Sequence, residues 1–307
     1  MDGTGPNLTV QTASLPGGTV SLRVWSNPGK PRLAFLHANG FCASAYRQVF
    51  EKLAGDYEIW APDLRGHGAT TLPADAGMHR SWGIYVTDMM ALWGQLGFVP
   101  DAMAGHSMGA TTALMTAARL AREGRTIPAL ALIEPVILPR PVYWLARSPV
   151  FALNRNRMPI ARQARRRRNG WPDREAARLR YAKHPGFARW APGVLEDYLE
   201  GGLKAAGEGA GKGNRGGEGK VILACDPAWE AANYEAQAHN PDAAARLVAG
   251  RAHVLQAGHG STLMRPRALT RYGARLTRMD DLGHLAPMQA PDRIAAWLSG
   301  ALAGEEG

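Results

Sequence analysis

The chain has 307 residues, 46% hydrophobic and 20% charged, long enough to close a core and too apolar for wholesale disorder. Two cysteines, Cys42 and Cys225, exclude a disulfide scaffold and fall short of a four-ligand zinc site. The net charge of +10 points at nucleic acid or an anionic surface, but residues 138–220 hold eighteen Lys/Arg against seven Asp/Glu and the rest is near neutral.

The opening residues lack a basic stretch followed by an apolar one, and no run reaches the ~18 apolar residues of a membrane span. A soluble cytoplasmic protein is therefore expected. Residues 8–15 and 20–25 flank Pro16-Gly17-Gly18 and predict an antiparallel hairpin. Residues 32–37 predict a buried strand, 44–53 a helix capped by Ser44, 57–61 a strand and 82–96 a helix ending at Gly97. A strand at 102–104 leads through Gly105-His106-Ser107-Met108-Gly109 into an alanine-rich helix to Arg122, and 129–133 is the next strand.

After Glu134 the alternation breaks. Residues 138–235 are rich in Arg, Pro and Trp, with helices predicted at 172–183 and 193–203 and a loop at 201–220 that holds nine glycines. Strands at 252–257 and 275–279, with helices at 263–272 and 292–302, complete the pattern. The reading is one α/β core (1–137 and 236–307) with a mostly parallel sheet of about eight strands, helices on both faces and a helical insertion at 138–235. The run Arg165-Arg166-Arg167-Arg168 reads as a solvated helix face, so nucleic acid is not an expected partner.

Gly105-His106-Ser107-Met108-Gly109 fits G-x-S-x-G between a strand and a helix, where a sharp turn lifts the Ser107 hydroxyl above the sheet. Side chains at the two glycines would collide with the neighbouring strand and helix. The helix that follows aims its N-terminal N–H groups toward negative charge beside Ser107. A serine hydroxyl needs a histidine base and an acid to orient that base.

In this elbow, in His37-Ala38-Asn39-Gly40-Phe41, in Asp63-Leu64-Arg65-Gly66-His67-Gly68 and in Gly283-His284-Leu285-Ala286-Pro287, the chain resembles the α/β-hydrolase fold. The branch is the lid-bearing one of esterases, meta-cleavage-product hydrolases and haloalkane dehalogenases, and the resemblance covers nearly the whole chain. It implies a lid at 138–235, His284 as the general base, and an oxyanion hole of backbone N–H groups from Met108 and Phe41, with Asn39 as the alternative register. His37, His67 and His106 are expected to be structural. The resemblance usually places an aspartate after the seventh strand, where this chain has Gly258-His259-Gly260-Ser261 and no carboxylate between Arg251 and Met279. The branch's other location, the end of the sixth strand, holds Glu134, with Asp280 and Asp281 as rivals.

The expected function is a serine hydrolase cleaving a small-molecule carboxylic ester, or a related acyl or C–C bond, through Ser107, His284 and Glu134 without metal or organic cofactor. The alternatives are a non-catalytic binding protein and a cofactor-free perhydrolase on the same site. Dehalogenation is disfavoured because that chemistry uses a carboxylate nucleophile. Trp144, Trp171, Trp190 and Trp229 are candidates to line an apolar pocket.

Overall fold

Three short strands, β3 (Arg32–Leu36), β5 (Ala102–His106) and β6 (Ala129–Ile133), are almost wholly buried, which suits only the middle of a sheet covered on both faces. The computed structural model describes residues 7–148, 158–207 and 220–304. Around these three lie β1 (Asn7–Leu15), β2 (Gly18–Ser26), β4 (Glu58–Pro62), β9 (Ala252–His259) and β10 (Arg275–Gly283), in the order β1-β2-β4-β3-β5-β6-β9-β10. β1 and β2 form the hairpin and β2 meets β4 antiparallel; from β4 to β10 all pairs are parallel. The eight-stranded, mostly parallel sheet is the one expected.

Alternation along each strand divides the core. Leu33, Phe35, Ala102, Ala104, Ala131 and Ile133 face one side, with α1 (Arg47–Leu53) and the closing helix Pro291–Ala303. Ala34, Leu36, Met103, Leu130 and Leu132 face the other, with α2 (Gly83–Leu96) and α3 (Met108–Arg122). α2 stops at Gly97, whose φ of +75° is left-handed.

Two local expectations fail for tertiary reasons. Ser44 does not cap α1; its hydroxyl donates to the Asp197 carbonyl (2.6 Å) and accepts from Gly201 N–H (3.1 Å), so it anchors a distant helix. The helix expected at 263–272 is helical only at Arg267–Thr270, because Leu263 bridges in parallel to Ile137 and Thr262 N–H is bound to Glu134.

Between β6 and β9 run α4 (Arg140–Leu145), α5 (Pro159–Arg165), α6 (Arg174–Ala182) and α7 (Val194–Gly202), then α8 (Pro227–Glu235) and α9 (Pro241–Val248). An unforeseen antiparallel pair, β7 (Leu203–Ala205) with β8 (Val221–Leu223), flanks the glycine-rich stretch, most of which (208–219) lies outside the described residues.

The arginine run is only in part the solvated face its composition predicts: Arg166 and Arg168 are exposed, whereas Arg165 and Arg167 are half-buried and paired. Arg165 donates to Glu235 (2.8 Å), and Arg167 bonds Glu230, Tyr181 Oη (2.9 Å) and Tyr198 Oη (3.0 Å). Arg168 donates to the Gly170 carbonyl and lies over the Trp171 ring. Glu230 and Glu235 are buried on α8, and a buried carboxylate without a cation costs several kcal/mol. Arg167→Ala, which strands Glu230, is expected to lower unfolding stability by about 3–5 kcal/mol in denaturant titration; a loss below ~1 kcal/mol would return Arg167 to the surface class.

Candidate active site

Only Ser107 separates β5 from α3, and it takes φ 56° and ψ −116°, a conformation an L-residue holds only when its surroundings enforce it. A Cβ on Gly109 would stand 2.0 Å from the Leu36 carbonyl oxygen, and one on Gly105 would stand 2.6 Å from the Gly109 carbonyl carbon. The turn closes because neither residue has a side chain.

His284 follows the end of β10. Its N–H donates to the His259 carbonyl (3.0 Å), and its own carbonyl accepts from His106 Nε2 (2.8 Å). The ring is thereby held with Nε2 at 3.0 Å from Ser107 Oγ and Nδ1 at 3.0 Å from Glu134 Oε2. Ser107, His284 and Glu134, far apart in sequence, are thus joined in one hydrogen-bonded chain.

Glu134 follows β6, also at a positive φ of 51°, with its side chain fully buried. Its Oε1 accepts from Ala257 N–H (2.7 Å) and Ser261 Oγ (2.8 Å); its Oε2 accepts from Thr262 N–H (2.9 Å) as well as His284. Burial alone would raise its pKa, but the hydrogen bonds from His284, Ala257 and Thr262 together hold it below the ordinary carboxylate range. It is a carboxylate at neutral pH. Ser261, which occupies the usual aspartate position, donates to Glu134 instead. Asp280 and Asp281 are exposed and pair with Arg278 and Arg293.

The loop after β3 is tied at nearly every amide. Ala38 N–H donates to Tyr46 Oη (3.0 Å), Gly40 N–H to His67 Nε2 (3.0 Å), and Phe41 N–H to the Ala38 carbonyl (3.2 Å). The Phe41 amide, the expected donor, thus closes a turn onto Ala38. Among the described residues no hydrogen bond uses the Asn39 N–H, and Met108, first residue of α3, has an amide with no intrahelical partner. Gly40, at φ +75°, makes this turn possible.

His37, His67 and His106 all bind backbone. Burial lowers the His37 pKa to about 4 and depresses those of His67 and His106 well below the ordinary value. Neutral His37 donates from Nδ1 to the Ala38 carbonyl and accepts Leu64 N–H at Nε2, both at 2.8 Å. Tyr46 went unseen in the sequence: its hydroxyl accepts from Ala38 and donates to His106 Nδ1 (2.8 Å), and no local pattern marks it. Trp190 stacks on Phe41 at 5.9 Å, whereas Trp171 and Trp229 are buried and Trp144 is exposed. Among the described residues no group of three or more His, Cys, Asp or Glu is placed to hold a metal ion, and no helix is long and apolar enough to cross a membrane.

The model of the alpha/beta hydrolase family matches residues 33–297. An epoxide hydrolase of Caballeronia sordidicola is 33% identical over 98 residues, covering 31% of this chain and 29% of that protein. Protein phosphatase methylesterase 1 of Cryptococcus neoformans var. neoformans is 29% identical over 149 residues, 43% of this chain and 35% of that protein. The matches thus span about a third of each curated relative. Among solved structures, E-2-(acetamidomethylene)succinate hydrolase superposes with a TM-score of 0.70 at 13% identity, covering 97% of this chain and 100% of the other. A peroxisomal alpha-beta-hydrolase of Saccharomyces cerevisiae gives 0.70 at 16% identity, covering 97% and 88%. At these identities the two structures show a shared fold alone.

Gly109→Ala should force β3 and α3 apart, lowering stability by about 1–3 kcal/mol in denaturant titration. Gly55→Ala, where the added methyl meets nothing within 4 Å, should stay within ~0.5 kcal/mol. Equal effects at both sites would refute the packing explanation of the elbow.

Proposed function

The chain belongs to the alpha/beta hydrolase family, and from that membership we propose a serine hydrolase that cleaves a small-molecule carboxylic ester through an acyl-enzyme. The observation that carries this reading is the continuous chain from Ser107 Oγ through His284 to Glu134, with both links at 3.0 Å.

Ser107 Oγ attacks the ester carbonyl carbon as its proton passes to His284 Nε2. Glu134 accepts from Nδ1–H, which fixes the tautomer that leaves Nε2 free to take a proton, and it balances the imidazolium that results. The carbonyl oxygen, now an oxyanion, is met by the amides of Met108 and Asn39. The alcohol departs with the proton from His284. Water, deprotonated by the same nitrogen, then attacks the acyl-enzyme and restores Ser107. Residues 138–235 act as the lid, with Trp190 and the Phe41 ring it stacks on as part of the apolar wall.

Nucleophile chemistry favours an acyl substrate over an epoxide. Serine attack on an epoxide carbon would leave an ether, with no carbonyl for water to attack, whereas an acyl-serine ester can be hydrolysed.

A fluorophosphonate probe should label wild-type protein at Ser107, and a series of p-nitrophenyl esters of increasing acyl length should report pocket depth. Ser107→Ala should lower kcat on the best ester by on the order of 10⁴–10⁶ with the circular dichroism spectrum unchanged; retention of a tenth of the activity, or an unlabelled wild type, would overturn the serine mechanism. Glu134→Gln should cost about 10²–10⁴ in kcat, measured on the same ester. A kcat within threefold of wild type would remove Glu134 from the mechanism.

A further inference from the structure

The Asn39 side chain does not face solvent. Its Nδ2 donates to the Glu230 carbonyl of α8 (3.0 Å), and its Oδ1 accepts from Asn233 Nδ2 on the same helix (2.9 Å). Asn233 is fully buried, and its Oδ1 accepts from Tyr85 Oη (2.7 Å) and His79 Nε2 (2.9 Å). Its carbonyl accepts from Trp82 Nε1 (2.9 Å). The polarity of this array is set at one end. A carbonyl at Glu230 can only accept, so Asn39 must present its NH₂ there and its oxygen to Asn233. Asn233 must then offer its own NH₂ to Asn39 and its oxygen to Tyr85 and His79. Every member is satisfied in only this orientation.

We propose that Asn233 is a positioning residue for the oxyanion hole: it clamps the Asn39 side chain to α8 so that the Asn39 backbone N–H stays aimed at the reacting carbonyl. The inference rests on the serine-hydrolase reading above. The neighbouring amides at 38, 40 and 41 are each bonded within the fold, so among residues 38–41 the Asn39 amide is the free donor. Rotation of its peptide plane would remove that donor. A side chain gripped by two partners on another element prevents the rotation, and misplacement by ~1 Å is worth about 10²-fold in rate. The clamp also joins the loop after β3 to the segment between β6 and β9, so movement of α8 is coupled to the donor.

The test uses the full chain, p-nitrophenyl butyrate as substrate and butylboronic acid, whose tetrahedral serine adduct carries an oxyanion-like oxygen. Fluorophosphonate labelling of wild-type Ser107 is measured first; its absence overturns the underlying reading and the clamp with it. With labelling present, Asn233→Leu should lower kcat about tenfold to hundredfold, leave KM within about threefold and weaken boronate affinity by a factor similar to the kcat loss. If Asn233→Leu fails to fold, Asn233→Asp keeps the shape and the acceptor for Tyr85 and His79 while its carboxylate has no N–H for Asn39, and the same pattern is expected. A folded variant with kcat within twofold of wild type, or a kcat loss with unchanged boronate affinity, overturns the clamp while leaving the serine mechanism in place.

Discussion

A carboxylate without solvent exposure survives only if its oxygens are met by donors, and Glu134 organises the centre of this protein by that requirement. Four donors converge on it, from Ala257 at β9, from Ser261 and Thr262 in the turn that follows, and from His284 after β10. The turn must stay extended to bring Thr262 within reach, which is why the next helix starts late, at Arg267. The positive φ at Glu134 belongs to the same arrangement, since the chain must turn sharply at the end of β6 to leave the carboxylate under the histidine.

The opposite side of the site is governed by neutral histidines. His37, His67 and His106 are buried among backbone groups and the Tyr46 hydroxyl, which need both a donor and an acceptor, and only the uncharged imidazole supplies both. Desolvation enforces that state. His106 and Tyr46 form a relay from Ala38 N–H to the carbonyl of His284, so the loop after β3 and the histidine loop are braced against each other beneath Ser107. In the proposed mechanism, holding the amides of Asn39 and Met108 in fixed directions is the condition for electrostatic preorganisation.

The segment between β6 and β9 shows how formal charge misleads. Three of its arginines are structural cations: Arg165 and Arg167 neutralise buried carboxylates on α8, and Arg174 donates to the carbonyls of Leu199 and Leu203 near the end of α7. Tyr198 extends the Arg167 group to the Gly40 carbonyl, so this network reaches the same loop that holds Asn39. A solvated surface and an internal ion-pair network have the same composition and opposite consequences.

Much was legible in the sequence because it is encoded locally. Alternating burial, a glycine at a helix end, and glycines on either side of Ser107 reflect backbone sterics within a few residues, and the sheet, its order of elements and the elbow could be read from them. The carboxylate at the end of β6 was legible through the resemblance, which offers that location where the turn after the seventh strand carries no acid, as between Arg251 and Met279 here. Other features were decided only by tertiary contacts. Whether the free amide belongs to Asn39 or Phe41 depends on a turn closed onto Ala38, and the fate of the Arg165–Arg168 run depends on carboxylates some 60–70 residues away. The same holds for Ser44, drawn to Asp197 instead of its own helix. Sequence patterns record which conformations a short segment prefers; the partner that a polar group finds is set by burial, which exists only once the chain has folded.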